Sequence, residues 1–260
     1  MSHGKTSSKQ ESVAVLVFSL TLVSALAAGV LACVSHLTKE PRAAAALKET
    51  NAALLKLEPG FDNVPEREKV VVADLNQAAD LSLAKWEPLP GPAAGEDKAD
   101  QVVFYPARKG GELVAVIAKA VSPIGYGGDM TVMASLSPAD GAVRSVIVTA
   151  NNETPGLGDA VFNRGRQLTL WGLFQGSGKE DAKTLPPNRT LDFFNGKKYS
   201  PAQAAKWTVR KDGGDFLFVT GATVSSRAVT YGVKRIVACY HDVRPRLAAA
   251  FAAAKQPGGD

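Results

Sequence analysis

Cysteine and histidine are scarce: Cys33 and Cys239, with His3, His36 and His241, are all that 260 residues contain. There is no CxxCH for a haem, no four-thiolate set for an iron–sulfur cluster, and no short-spaced His/Cys group for zinc. Any redox chemistry must therefore use an organic cofactor. No excess of one charge is concentrated anywhere, because 30 Lys and Arg against 25 Asp and Glu leave +5 spread along the chain. A nucleic-acid partner is not needed to explain it. GxxxxGK[ST] and GxSxG are missing, and no GxGxxG follows a strand, which removes a P-loop nucleotidase, a nucleophile-elbow hydrolase and a dinucleotide-binding fold. No carboxylate pair or Cys–His couple suggests acid–base work, so neither catalytic nor metal-ligating residues are assigned. The apolar share, 45%, excludes disorder throughout.

What the chain does have begins with an uncharged stretch from Ser12 to Ser35, SVAVLVFSLTLVSALAAGVLACVS. As a helix it is long enough to cross roughly 30 Å of hydrocarbon. A cleaved signal peptide, with an apolar region of about 7–15 residues, is the alternative. Lys5 and Lys9 precede the stretch and Lys39, Arg42 and Lys48 follow it, so charge alone leaves the orientation open. Pro41 to Leu57 is rich in Ala and Leu and suits a stalk helix with Pro in its first turn. Short β-branched runs at Gln101–Tyr105, Glu112–Val121, Met130–Leu136 and Ala142–Thr149, separated by turn residues, predict an antiparallel meander. Leu89–Asp100 is expected as a loop and Lys255–Asp260 as a frayed tail. Between Leu168 and Arg210 a helix is expected at Pro201–Lys206 and a strand at Trp207–Arg210. The resulting fold class is α+β: one N-terminal transmembrane helix, then one mixed, largely antiparallel sheet domain with flanking helices. The boundaries are 1–11 for a tail, 12–35 for the membrane helix, 36–100 for stalk and linker, 101–245 for the folded domain, and 246–260 for a C-terminal tail.

Two clusters carry chemistry. Phe216–Val243 begins as an apolar strand, turns at Thr220-Gly221-Ala222-Thr223 and continues as a helix with apolar positions at Val229, Val233, Ile236, Val237 and Tyr240. Ser225 and Ser226 are natural N-caps, and hydroxyls, open N–H groups and a helix dipole together make a candidate phosphate site. Simple helix capping is the competing explanation. The second cluster is Asn151–Asp159, NNETPGLGD, in which Pro155 fixes a turn, Gly156 and Gly158 permit positive φ and Leu157 is an apolar tip suited to a flat ring. A functionless hairpin loop, with Glu153 as a solvated charge, is the competing explanation here.

Together the clusters are more specific than either alone. TGATVSSRAV and ETPGLG, in the order membrane helix, GYGG (Gly125–Gly128), ETPGLG, KDGG (Lys211–Gly214), TGAT, resemble the FMN-binding domain family of membrane redox complexes. That family includes the G subunits of Rnf/Rsx ion-translocating electron-transport complexes and, as close relatives, the C subunits of sodium-pumping NADH:quinone reductases. The resemblance implies FMN linked through its phosphate to Thr223 by a dedicated flavin transferase. The rest of the implied cofactor site is Thr220, Gly221, Ala222, Ser225, Ser226 and Arg227, with Glu153, Thr154, Gly156, Leu157 and Gly158. It also implies one-electron relay among other subunits of a redox complex in a bacterial inner membrane, with the globular domain on the periplasmic or extracytoplasmic side. The family carries an acidic residue six positions before the modified threonine. This chain has Leu217 there and Asp215 two residues earlier. Two alternatives follow: an unflavinylated structural or assembly subunit, favoured by Leu217, and a periplasmic ligand-binding module.

Overall fold

In the computed structural model, which describes residues 7–76, 81, 84–88, 99–164 and 185–254, the chain divides into two units, Met1–Glu49 and Thr50–Asp260. A single helix, α1 (Ser7–Leu57), supplies most of the first and enters the second. The separate stalk helix expected to start at Pro41 does not exist, because the helix runs through Pro41 without a break. The Ala-rich sequence after it has the propensity to sustain helix across one unfavourable residue. Val15–Thr38 is the apolar window of α1, with a mean hydropathy of 2.4, and none of it is buried against protein. Bare apolar side chain of this extent suits a bilayer, and among the described residues this is the one candidate spanning helix.

The second unit is built on a six-stranded antiparallel sheet: β1 (Val70–Asp74), β2 (Trp86–Pro88), β3 (Gln101–Lys109), β4 (Glu112–Gly125), β5 (Gly128–Leu136) and β6 (Val143–Ala150), in the order β2-β1-β3-β4-β5-β6. The four expected strands are all present, as a meander. β1 and β2, however, come from the segment 36–100 expected as stalk and linker. Side chains alternate between two buried faces, as a period of two requires. On one face Val72, Val102, Ala120, Val132 and Val148 stand opposite one another across five strands, with Phe104, Ala118, Ala134 and Val146 in the next row. On the other, Val71, Val103, Tyr105, Ile117 and Met133 pack with Ala53, Leu54 and Leu57 from the end of α1. Sheets covered on both faces read as nearly continuous apolar runs, which is why the meander was visible in the sequence.

Between the sheet and the last helix come a one-turn helix, α2 (Arg189–Asp192), and a 3-10 turn at the expected Pro201–Lys206. Asn188 caps α2, its Oδ1 accepting from Thr190 N (3.0 Å) and Leu191 N (2.9 Å). The long helix α3 (Thr223–Ala254) crosses the first face, burying Val229, Val233, Ile236, Val237, Tyr240 and Val243. Each such side chain contributes about 1.5–3 kcal/mol by leaving water. At Gly232 the helix packs tightly on the sheet, where a Cβ would stand 2.8 Å from Val132 Cγ2. The small Ala118, Ala120 and Ala134 beneath it permit this approach. Residues 246–254, expected as tail, continue α3 past Pro245 and bury Leu247 and Phe251. The Cys239 thiol is also buried here, and burial pushes its pKa well above the usual value, which keeps it protonated and unreactive.

The strands expected at Trp207–Arg210 and from Phe216 are absent: only one isolated parallel bridge, Val209 with Phe216, joins them. Phe216 is apolar for a different reason. Its ring stacks on Phe194 at 4.4 Å and lies 4.8 Å from Trp207, so it anchors the approach to α3 in an aromatic cluster instead of a sheet ladder. The sequence at 165–184 and most of Leu89–Asp100, with Lys255–Asp260, fall outside the described residues.

Candidate functional site

Three segments far apart in sequence meet at one carboxylate. Glu153, 8% exposed, accepts from Tyr126 N (2.8 Å) and Gly127 N (3.4 Å) at Oε1 and from Ser225 Oγ (2.7 Å) at Oε2. The β4–β5 turn, the loop after β6 and the first turn of α3 are thereby tied together. Glu153 is thus not a solvated charge, and both of its oxygens are engaged within the protein. The tight geometry explains the glycines. A Cβ at Gly158 would run into Glu153 Oε2 and stand 2.8 Å from Ser225 Oγ, and one at Gly127 would run into the Asn152 carbonyl.

At α3, Gly221 (φ 86) turns the chain so that the helix begins at Thr223. Ser225 and Ser226 therefore lie within the first turn and are not the caps expected. Ser225 donates to Glu153. Ser226 Oγ donates to Ala222 O (2.9 Å) and accepts from Val219 N (3.1 Å), which pins the incoming segment to the helix. The first hydrogen bond entering the helix runs from Ser226 N to Ala222 O (3.0 Å). Among the described residues no acceptor meets the amides of Thr223, Val224 and Ser225. Three open donors at the positive end of a 32-residue helix, beside a half-buried Thr223, fit a phosphate.

Arg227 is brought to the same helix start but is already engaged. Its Nε and Nη2 donate to Asp212 Oδ2 (2.7 Å) and Oδ1 (2.6 Å), a two-point pair that uses the KDGG segment. Arg227 holds the Asp212 carboxyl below its usual range. A depressed carboxylate pKa means the pair persists at neutral pH and is lost only as the pH falls through that lowered value. The open amides, more than Arg227, are thus the groups available to an added negative charge. Thr220 and Gly221 are exposed and Ala222 is buried. Thr154 and Gly156 lie exposed on the loop, with Leu157 at its tip 54% exposed. Sequence reasoning missed Asp212 as the partner of Arg227 and Tyr126 as a member of the site. For Tyr126 the signal was available, since three glycines around one aromatic residue describe a turn that presents a single ring.

Comparison with known proteins shows the family of the chain. The model of the FMN-binding domain matches residues 125–238, which begin on the β4–β5 turn and end within α3. The chain is similar to the G subunit of the ion-translocating oxidoreductase complex of Escherichia coli (strain K12), 32% identical over 217 residues that cover 84% of this chain and 85% of that protein. Its counterpart in Salmonella typhimurium is 32% identical over 219 residues with the same coverage. That of Erwinia tasmaniensis is 36% identical over 132 residues, 51% of this chain and 52% of its own. Identity of this level over most of both chains, together with the matched domain, means that the chain belongs to the family of G subunits of ion-translocating oxidoreductase complexes, with an FMN-binding domain.

Proposed function

We propose that this chain is a membrane-anchored electron-transfer subunit carrying FMN esterified through its phosphate to the Thr223 hydroxyl, and that it relays electrons among the other subunits of an ion-translocating redox complex. The observation that carries this reading is Thr223 itself: half-buried, first in α3, beside three open amides and on a turn clasped by Glu153. FMN, when bound, supplies reversible one- and two-electron exchange. The protein's part is to hold and present it. The α3 amides face the charge that remains on an esterified phosphate. Gly221 leaves open space beside the attachment point, where a Cβ would meet nothing within 4 Å. Leu157, exposed on the loop that Glu153 joins to the helix start, offers an apolar surface. Linkage through the phosphate leaves the ring chemically free, and a permanent bond retains the cofactor in a compartment without a flavin pool.

Maturation then requires a flavin transferase. Intact masses of the denatured chain, made with and without the transferase, test the reading: an increase of one FMN less one water should appear only with it. Unmodified mass in both preparations would favour a structural or assembly subunit of the same kind of complex.

Leu217 is the observation behind that second reading. It is half-buried on the segment leading to the turn, whereas Asp215 is exposed and within reach of an enzyme. With limiting transferase, Leu217→Asp should raise the flavinylated fraction and Asp215→Ala should lower it, as read by in-gel fluorescence per mole of chain. If neither changes the fraction, recognition rests on the TGAT turn alone.

The same reading places the N-terminus in the cytoplasm and Thr50–Asp260 outside. Protease added to intact spheroplasts should digest the chain after Leu57 and spare its N-terminal end. Protection of the globular unit until the membrane is broken would overturn this orientation.

A further inference from the structure

We propose that Tyr126 is a flavin-contact residue, its ring lying against the isoalloxazine of the FMN carried on Thr223; the inference rests on that attachment. Tyr126 is 73% exposed, while Tyr105 and Tyr240 are buried and Tyr199 and Tyr231 half-buried. No ring or cation among the described residues packs on it. Yet the backbone that presents it is closely constrained. Tyr126 N donates to buried Glu153, a Cβ at Gly125 would run into Gly128 O, and Gly128 sits at φ 112. A turn held on both sides thus presents one bare aromatic ring in a fixed place.

The location identifies the partner. In Thr50–Asp260 the described exposed large apolar residues are seven, and four of them, Ile124, Tyr126, Leu157 and Val224, stem from the three segments that Glu153 ties together. Val224 follows the attachment threonine directly. An apolar rim around a phosphate-binding helix start matches the chemistry of FMN, with its charged phosphate at one end and flat apolar ring at the other. A phenol stacked on a flavin also has a spectroscopic signature, because it donates an electron to the excited ring and quenches its emission.

The test uses flavinylated full-length chain with Tyr126→Ala and Tyr126→Phe, comparing emission and visible circular dichroism of native protein with the emission of the same samples after denaturation. Tyr126→Ala should raise native emission severalfold and alter the visible dichroism. Tyr126→Phe should raise emission while keeping the dichroism, since the packing remains and the phenol is gone. Denatured emission should equal wild type throughout, showing that attachment is intact. Native emission and dichroism unchanged in Tyr126→Ala, with the denatured signal present, would overturn the contact and leave Thr223 standing. A denatured wild-type chain without flavin would overturn the attachment and the contact with it.

Discussion

Thr223→Ala should abolish the flavin band of the denatured chain and leave the domain folded. The hydroxyl is the proposed point of esterification, and Ala has nothing to esterify, so the loss is complete and not graded. The fold tolerates the change because Thr223 occupies the first helical position and not the cap. Its removal costs less than the roughly 0.5–2 kcal/mol of a lost cap, and Ala is the better helix former. A melt close to wild type, with no fluorescence in the gel, is the expected pair of results. Persistent fluorescence would move the attachment elsewhere, with exposed Thr220, three residues earlier, the nearest other hydroxyl of the turn.

Glu153→Ala has the opposite profile, with its main effect on stability. It strips the acceptor from Tyr126 N, Gly127 N and buried Ser225 Oγ at once. Leaving several donors unsatisfied costs about 2–4 kcal/mol, enough to lower the melting temperature by roughly 6–12 °C in a domain of this size. Glu153→Gln keeps the shape and an acceptor oxygen, and its amide can donate to Ser225 Oγ, so it should recover at least half of the loss. Thermal unfolding of the three proteins decides the matter. A Glu153→Ala transition that coincides with wild type would mean that the carboxylate does not hold these segments together.

The parts of the fold that sequence made legible are those in which local pattern and tertiary packing coincide. β3 to β6 are β-branched runs bounded by turns, and α3 has apolar residues at three- and four-residue spacing. β1 contains Val70, Val71 and Val72, yet it is isolated within charged and Pro-containing sequence, and β2 is only three residues long. Neither is a strand by its own pattern; both become strands by pairing at the edge of a sheet already formed. At Phe216 the error ran the other way, because an aromatic cluster and a strand leave the same apolar trace. In the site, the hydroxyl-rich turn and the Gly-flanked loop were legible because backbone geometry demands those residue types. The burial of Glu153 was not. Its partners are two backbone amides, which leave no mark in sequence, and a serine on another element.

Those partners lie 27, 26 and 72 residues from Glu153 along the chain. Closing loops of that length draws on entropy that only a formed sheet and a docked α3 can offset. Thr223, the proposed attachment point, therefore takes up its native setting only where β4 to β6 have paired and α3 packs on the sheet. A nascent or truncated chain that ends before Ser225 lacks the hydroxyl that completes the clasp, so, on the proposed attachment, loading of the cofactor should follow translation, assembly of the sheet and docking of the last helix.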